Sequence, residues 1–172
     1  MVNRKSRKER FIMDKKVKQL LDQQINKELY SAYLYLGIAT FFAKENLAGF
    51  ASWYRKQALE EQEHAMKIYD YLLEQDQDVT LDKIDKVDIE IKDCLQAAKE
   101  ADKHEHYITG EIEKIMDAAV AANDYRTQLF LNWFIEEQQE EEVNSKDMIS
   151  KIEMLGDDRK NLYILDKELS QR

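Results

Sequence analysis

Glu28, Glu61, Glu105 and Glu141 each interrupt an apolar stripe that repeats at alternating spacings of four and three residues, the pattern of one buried helical face. The first stripe reads Leu21, Ile25, Glu28, Ala32, Tyr35, Ala39, Phe42, and the second Leu47, Ala51, Tyr54, Ala58, Glu61, Ala65, Ile68, Leu72. The third reads Ile91, Cys94, Ala98, Ala101, Glu105, Ile108, Ile112, Ile115, Ala119. The fourth reads Leu131, Phe134, Gln138, Glu141, Ser145, Met148, Ile152, Leu155. Taken singly, any of these glutamates reads as a surface residue. Each sits near the middle of its segment, however, so all four converge on one layer whichever way the helices point. Buried carboxylates need compensation, and no lysine or arginine lies on a stripe. Two divalent cations balance four carboxylates. His64, three residues after Glu61 on the same face, adds a neutral nitrogen ligand. The chemistry expected is a pair of metal ions bridged inside a helical bundle.

Four long helices must position those residues. The chain has 172 residues, no proline and 4 glycines, with 35% charged and 10% aromatic residues, which suits helices better than turn-rich β folds. Helices are expected at about Asp14 to Ala43, Leu47 to Gln75, Ile91 to Ala121 and Tyr125 to Leu155. The short joins at 44–46 and 122–124 make antiparallel neighbours. The stretch 76–90 differs, because Val79, Leu81, Ile84, Val87 and Ile89 nearly alternate, as in an extended strap. A 30-residue helix is roughly 45 Å long. A strap at about 3.3–3.6 Å per residue just covers that length, which would make the second and third helices parallel. Gly156 reads as a helix stop, followed by a short segment with Leu162, Leu165 and Leu169 on one face. That tail either packs on its own subunit or serves assembly. The expected fold is an all-α four-helix bundle with one long crossover between the second and third helices and a short C-terminal fifth helix, over residues 14–172.

Composition narrows the partners. A net charge of −9 argues against nucleic acid and suits the attraction of cations. Residues 1–13 form a basic extension, from Asn3 to Arg10, read as a solvated arm or a helical lead-in, with Met13 as an alternative start. No apolar h-region follows it, so a signal peptide is not expected. The longest apolar stretch, Leu29 to Phe42, is broken by Tyr, Ser, Gly and Thr and is too short to span a membrane. The single cysteine, Cys94, excludes a disulfide framework and a zinc knuckle and fits a reducing compartment, so a cytoplasmic protein is expected.

From about Met13 to Ser170 the motifs NKELYSAYLY, ALEEQEHAMKIYDYL, KHEHYITGEI, NWFIEEQQEEE and LYILDKELS resemble the ferritins, specifically the bacterial non-haem kind. The resemblance implies that Glu28, Glu61 and His64 bind a first iron. It implies that Glu61, Glu105 and Glu141 bind a second, with Glu61 bridging and Gln138 close by. Tyr35 and Trp133 fall where the family places aromatic neighbours of the site. Glu60, Glu137 and Glu140, with Glu141, match an additional, third iron site on the inner side. The implied activity is a ferroxidase that oxidises Fe(II) with O2 or hydrogen peroxide. The implied product is an Fe(III) mineral stored in a hollow shell of twenty-four copies, with the tail helix at one symmetry axis.

Departures from the wider superfamily sharpen the resemblance. The fourth helix offers Gln138-x-x-Glu141 where the bundle oxidases commonly carry a second Glu-x-x-His. That disfavours bacterioferritin and rubrerythrin. Gln62 stands near the position of bacterioferritin's haem methionine, so no haem is expected, and rubrerythrin needs more cysteines than Cys94. Two other classes stay open on the residues alone. A di-iron oxidase of an organic substrate would need a substrate cavity, and a metal-free structural bundle would need another partner for the core carboxylates.

Overall fold

The computed structural model describes residues 13–156 and 158–171, so most of the basic extension lies outside the described residues. Five helices follow in order: α1 (Lys15–Lys44), α2 (Ala48–Glu74), α3 (Cys94–Ala121), α4 (Tyr125–Leu155) and α5 (Arg159–Leu169). Asp14 caps α1, its carboxylate accepting from the backbone N–H of Lys16 and Val17. Met13, placed in the extension on sequence grounds, is buried in the same apolar cluster as Val17 and Leu21.

A chain poor in glycine ends three helices with other residues. Asn46, Asp76 and Asn123 adopt φ of 60°, 62° and 54°, the left-handed conformation that Asn and Asp tolerate better than most. In each case two backbone N–H groups turn back to the last helical carbonyls, as from Leu47 to Phe42 and from Asn46 to Ala43. These tight stops make α1/α2 and α3/α4 antiparallel hairpins.

Between α2 and α3 the chain forms the expected strap, held by α1. The Thr80 N–H donates to Asp22 Oδ1 at 3.1 Å, and Asn26 Nδ2 donates to the carbonyls of Asp82 and Lys83 at 3.1 and 2.8 Å. Val87 lies against Gly37. Strap residues of rising number thus meet α1 residues of rising number, so the strap runs parallel to α1 and delivers α3 alongside α2 in the same direction. Two details differ from the sequence expectation. Leu81 is 64% exposed, because polar bonds rather than unbroken alternation hold that part of the strap. Helix α3 begins at Cys94, three residues late: Asp93 caps the N–H of Gln96 while Gln96 Oε1 accepts from the Lys92 N–H. Ile91 stays outside the helix and packs on the core from the strap.

The core divides into two apolar clusters with a polar layer between them. One holds Ile25, Ala65, Ile108 and Phe134; the other holds Ala32, Ala58, Ala101 and Met148. Every helix of the bundle crosses from one cluster to the other at its glutamate. Glu28, Glu61, Glu105 and Glu141 therefore occupy one level.

The tail helix packs on its own subunit. Leu162, Leu165 and Leu169 are buried with Phe42, Phe50 and Ile152. Asp166 Oδ1 accepts from the buried N–H of Phe50 at 3.0 Å, supplying the cap that Leu47, at the N-cap of α2, does not. The approach requires glycine: a Cβ at Gly49 would stand 1.7 Å from the Asp166 carbonyl oxygen. Gly49→Ala is expected to push α5 off, costing about 1–3 kcal/mol. A lower melting temperature and faster proteolysis at the C-terminus would register this, and parental behaviour in both would refute the docking.

Candidate metal centre

Each functional side chain comes from a different turn of a long helix, which is the rigid support a metal site needs. Glu28 projects from α1, Glu61 and His64 from α2, Glu105 from α3, and Gln138 and Glu141 from α4; all six are at most 5% exposed. One ligand atom each from Glu28, Glu61 and His64 lies within 4.8 Å of the others. His64 Nδ1 is 3.6 Å from Glu61 Oε2. A metal cation fits here on the chemistry of the donors, because Glu28 Oε2 is buried with no hydrogen-bond partner. A buried carboxyl oxygen that accepts from no donor, beside an imidazole, is the environment a cation completes.

Four other oxygens of the layer are held by neighbouring side chains. Glu28 Oε1 accepts from Gln24 Nε2 at 2.8 Å, and Glu141 Oε2 accepts from Gln57 Nε2 at 2.8 Å. Glu105 accepts from the Tyr35 hydroxyl on one oxygen and from Gln138 Nε2, at 3.2 Å, on the other. Sequence reasoning singled out Tyr35 and Gln138 but missed Gln24 and Gln57. The missed signal was a polar residue one turn before a core glutamate, four residues ahead of Glu28 and of Glu61.

Burial and mutual repulsion raise the pKa values of the carboxyls in this layer. Burial first, then Glu61, raises the Glu28 carboxyl well above the usual range. Burial and then Glu105 do the same to Glu61. Glu105 is raised by burial against the opposing bonds from Tyr35 and Gln138. Glu141 rises to about 7, through burial and then Glu105. Tyr35 is likewise raised, first by burial and next by Glu105. Metal loading therefore displaces protons.

Around the layer, Trp133 sets the edge of its ring against His64, with centroids 5.4 Å apart, and carries Lys67 Nζ 4.2 Å from its own centroid. Tyr35 stacks on Tyr54 at 5.9 Å. Of the residues matched to an additional iron site, Glu137 Oε1 comes within 3.8 Å of His64 Nε2. Glu60 repels the charges of Glu61 and Glu141, while Glu140 is exposed.

Residues 18–155 match the family of the ferritin-like domain. The chain belongs to the ferritin family. A bacterial non-heme ferritin from Staphylococcus epidermidis is 35% identical over 161 residues, covering 94% of this chain and 97% of that protein. One from Campylobacter jejuni is 33% identical over 156 residues, covering 91% and 93%. A solved open-pore ferritin from the hyperthermophilic archaeon Archaeoglobus fulgidus superposes with a TM-score of 0.91 at 38% identity, covering 93% of this ferritin and 98% of that chain. Membership in this family implies iron storage in a protein shell via ferroxidase activity. Among the described residues, no helix of this ferritin is long and apolar enough to cross a membrane.

Proposed function

We propose that the buried glutamate layer oxidises Fe(II) two ions at a time and releases Fe(III) to a mineral inside a shell of twenty-four copies, in the cytoplasm. One observation carries the reading: among the described residues the core contains a layer of four carboxylates with no lysine or arginine among them and an orphaned oxygen on Glu28. Fe(II) is the substrate. Glu28 and His64 hold one ion, Glu105 and Glu141 the other, and Glu61 lies between. Two irons held together supply two electrons at once to O2 or hydrogen peroxide.

The chain's own groups do the rest. As Fe(II) enters, the carboxyl protons leave, among them that of Glu141, whose pKa burial and Glu105 push up to about 7. Gln24, Gln57 and Gln138 keep the carboxylates aimed while charge changes around them. The Tyr35 hydroxyl steadies Glu105 and stands as the phenol nearest the oxidation chemistry. Oxygen ligands that share their charge between two ions let the ferric product move on. Glu137 and Glu60 offer the next carboxylates, toward a third iron position, and exposed Glu140 extends the acidic surface on which mineral nucleates.

Oxidation of an organic substrate fits poorly. The cavity that reaches the layer, lined by Tyr35, Tyr54, Gln57 and Glu141, has a volume of about 20 Å³. That admits one water, whereas substrate pockets run to about 300–1,000 Å³.

The test is aerobic addition of Fe(II) to metal-free protein, followed by size-exclusion chromatography with iron detected across the eluate. Rapid oxidation with iron co-eluting at the size of a large shell is the expected result. Iron separating from the protein, or elution as a small oligomer, would overturn storage in a shell.

A further inference from the structure

Helices α1 and α3 carry Glu28 and Glu105, yet no turn joins them; α2 and the strap intervene. Beyond the strap that leads into α3, their mutual register rests on contacts between the two. Three polar cross-links do this, and on α1 they are spaced one turn apart. Lys27 pairs with Glu111, Ser31 with His104, and Tyr35 with Glu105. The first is a partly exposed ion pair, and the third belongs to the metal layer itself.

The middle rung is different in kind. Ser31 is fully buried, and its Oγ lies 2.7 Å from His104 Nε2 and 3.1 Å from the Lys27 carbonyl oxygen. The serine proton goes to the Lys27 carbonyl when His104 donates from Nε2, so both hydrogen bonds are satisfied by neutral groups. Tyr30 and Tyr107 flank the imidazole with ring centroids at 5.8 and 5.9 Å. Both ends of the rung touch the metal layer through the chain: Ser31 is three residues beyond Glu28, and His104 precedes Glu105.

We propose, on top of the paired-iron reading, that His104 and Ser31 are positioning residues that set the distance between Glu28 and Glu105, and so decide whether two metals bind as a pair. The first site draws Glu28, Glu61 and His64 from the α1/α2 hairpin, whose own turn holds it together. The second depends on α3 standing at the right depth. Losing the rung therefore separates the two sites in affinity.

Calorimetric titration of metal-free protein with Zn(II), which binds without oxidation chemistry, reads this directly. The parent is expected to take two tight ions per subunit. In His104→Ala the first stays tight and the second weakens by about 10- to 100-fold, the range for lost outer-shell partners. His104→Gln places an amide N–H near the position of Nε2 and should restore the pair. Ser31→Ala, a change that helices accept well, should reproduce the loss with the fold intact by circular dichroism. Parental affinity at both sites in His104→Ala and Ser31→Ala would overturn the positioning role alone. So would equal weakening of both sites that His104→Gln does not rescue. A parent that binds fewer than two Zn(II) ions would overturn the paired centre and the positioning role together.

Discussion

Glu61→Ala is expected to abolish rapid Fe(II) oxidation, by at least about 100-fold, since losing even an outer-shell partner costs 10- to 100-fold, and to do so without unfolding the metal-free bundle. Glu61 is 2% exposed, clusters with Glu28 and His64, and feels the charges of Glu105 and Glu141. Alanine removes the one carboxylate that both irons would share. Two stability terms oppose each other. Truncation leaves a cavity worth roughly 2–3 kcal/mol of lost packing. It also removes a buried carboxyl that Glu105, Glu141 and Glu60 all repel, a desolvation cost of similar size. The melting temperature of metal-free protein should therefore stay near the parent's, while stopped-flow absorbance shows the fast ferric phase gone. Unimpaired turnover would refute the bridging position. A collapse in stability with normal turnover would show that Glu61 packs the core and does nothing more.

That variant could be designed from sequence because the centre sits on long helices. A period of 3.6 residues places every fourth or third residue on one face whatever the loops do. Glu28, Glu61, Glu105 and Glu141 were therefore visible as interruptions, and the two flanking apolar clusters confirm that they share a level. The strap was legible from its length, which had to match a helix. What stayed hidden depends on partners distant in sequence. Gln57 donates to Glu141 across 84 positions, and Asp166 caps α2 across 116. Neither residue departs from its own local pattern: one is a polar neighbour of a core face, the other an acid on a tail helix. Ser31 and His104 were hidden for the same reason, since each looks ordinary until α1 and α3 are placed side by side. The tail helix was ambiguous because its leucines fit any apolar surface. The glycine at position 49 decides for the subunit's own α2, where only a residue without Cβ admits the Asp166 carbonyl.

Metal-free protein should lose stability as pH rises above about 6.5, the reverse of what ordinary paired surface carboxylates produce. A carboxyl raised in the folded state holds its proton while the unfolded chain has already released it. The folded state then binds more protons, so stability falls with each pH step between the unfolded value, near 4.5, and the folded one. Glu141 traverses that window up to about 7, and Glu28 and Glu61 continue well above the usual carboxylate range. His104 acts in the opposite sense. Its imidazole is held near 4 against 6.5 when unfolded, so it adds stability as pH rises through that interval and masks the carboxylates there. Above about 6.5 its contribution levels off as the unfolded imidazole loses its proton, and the carboxylates dominate. Each pH unit over which one group differs is worth about 1.4 kcal/mol, and a domain of this size shifts by about 2–4 °C per kcal/mol. Calorimetry in the presence of a chelator should thus show a melting temperature falling by a few degrees per pH unit above about 6.5 for each carboxyl still protonated. With Zn(II) bound, the carboxylates are ionised throughout and metal affinity grows with pH, so the slope should flatten or reverse. A metal-free melting temperature that holds level or rises over the same range would mean the layer is already ionised and compensated by something other than protons. The case for cations as its natural partner would then fail.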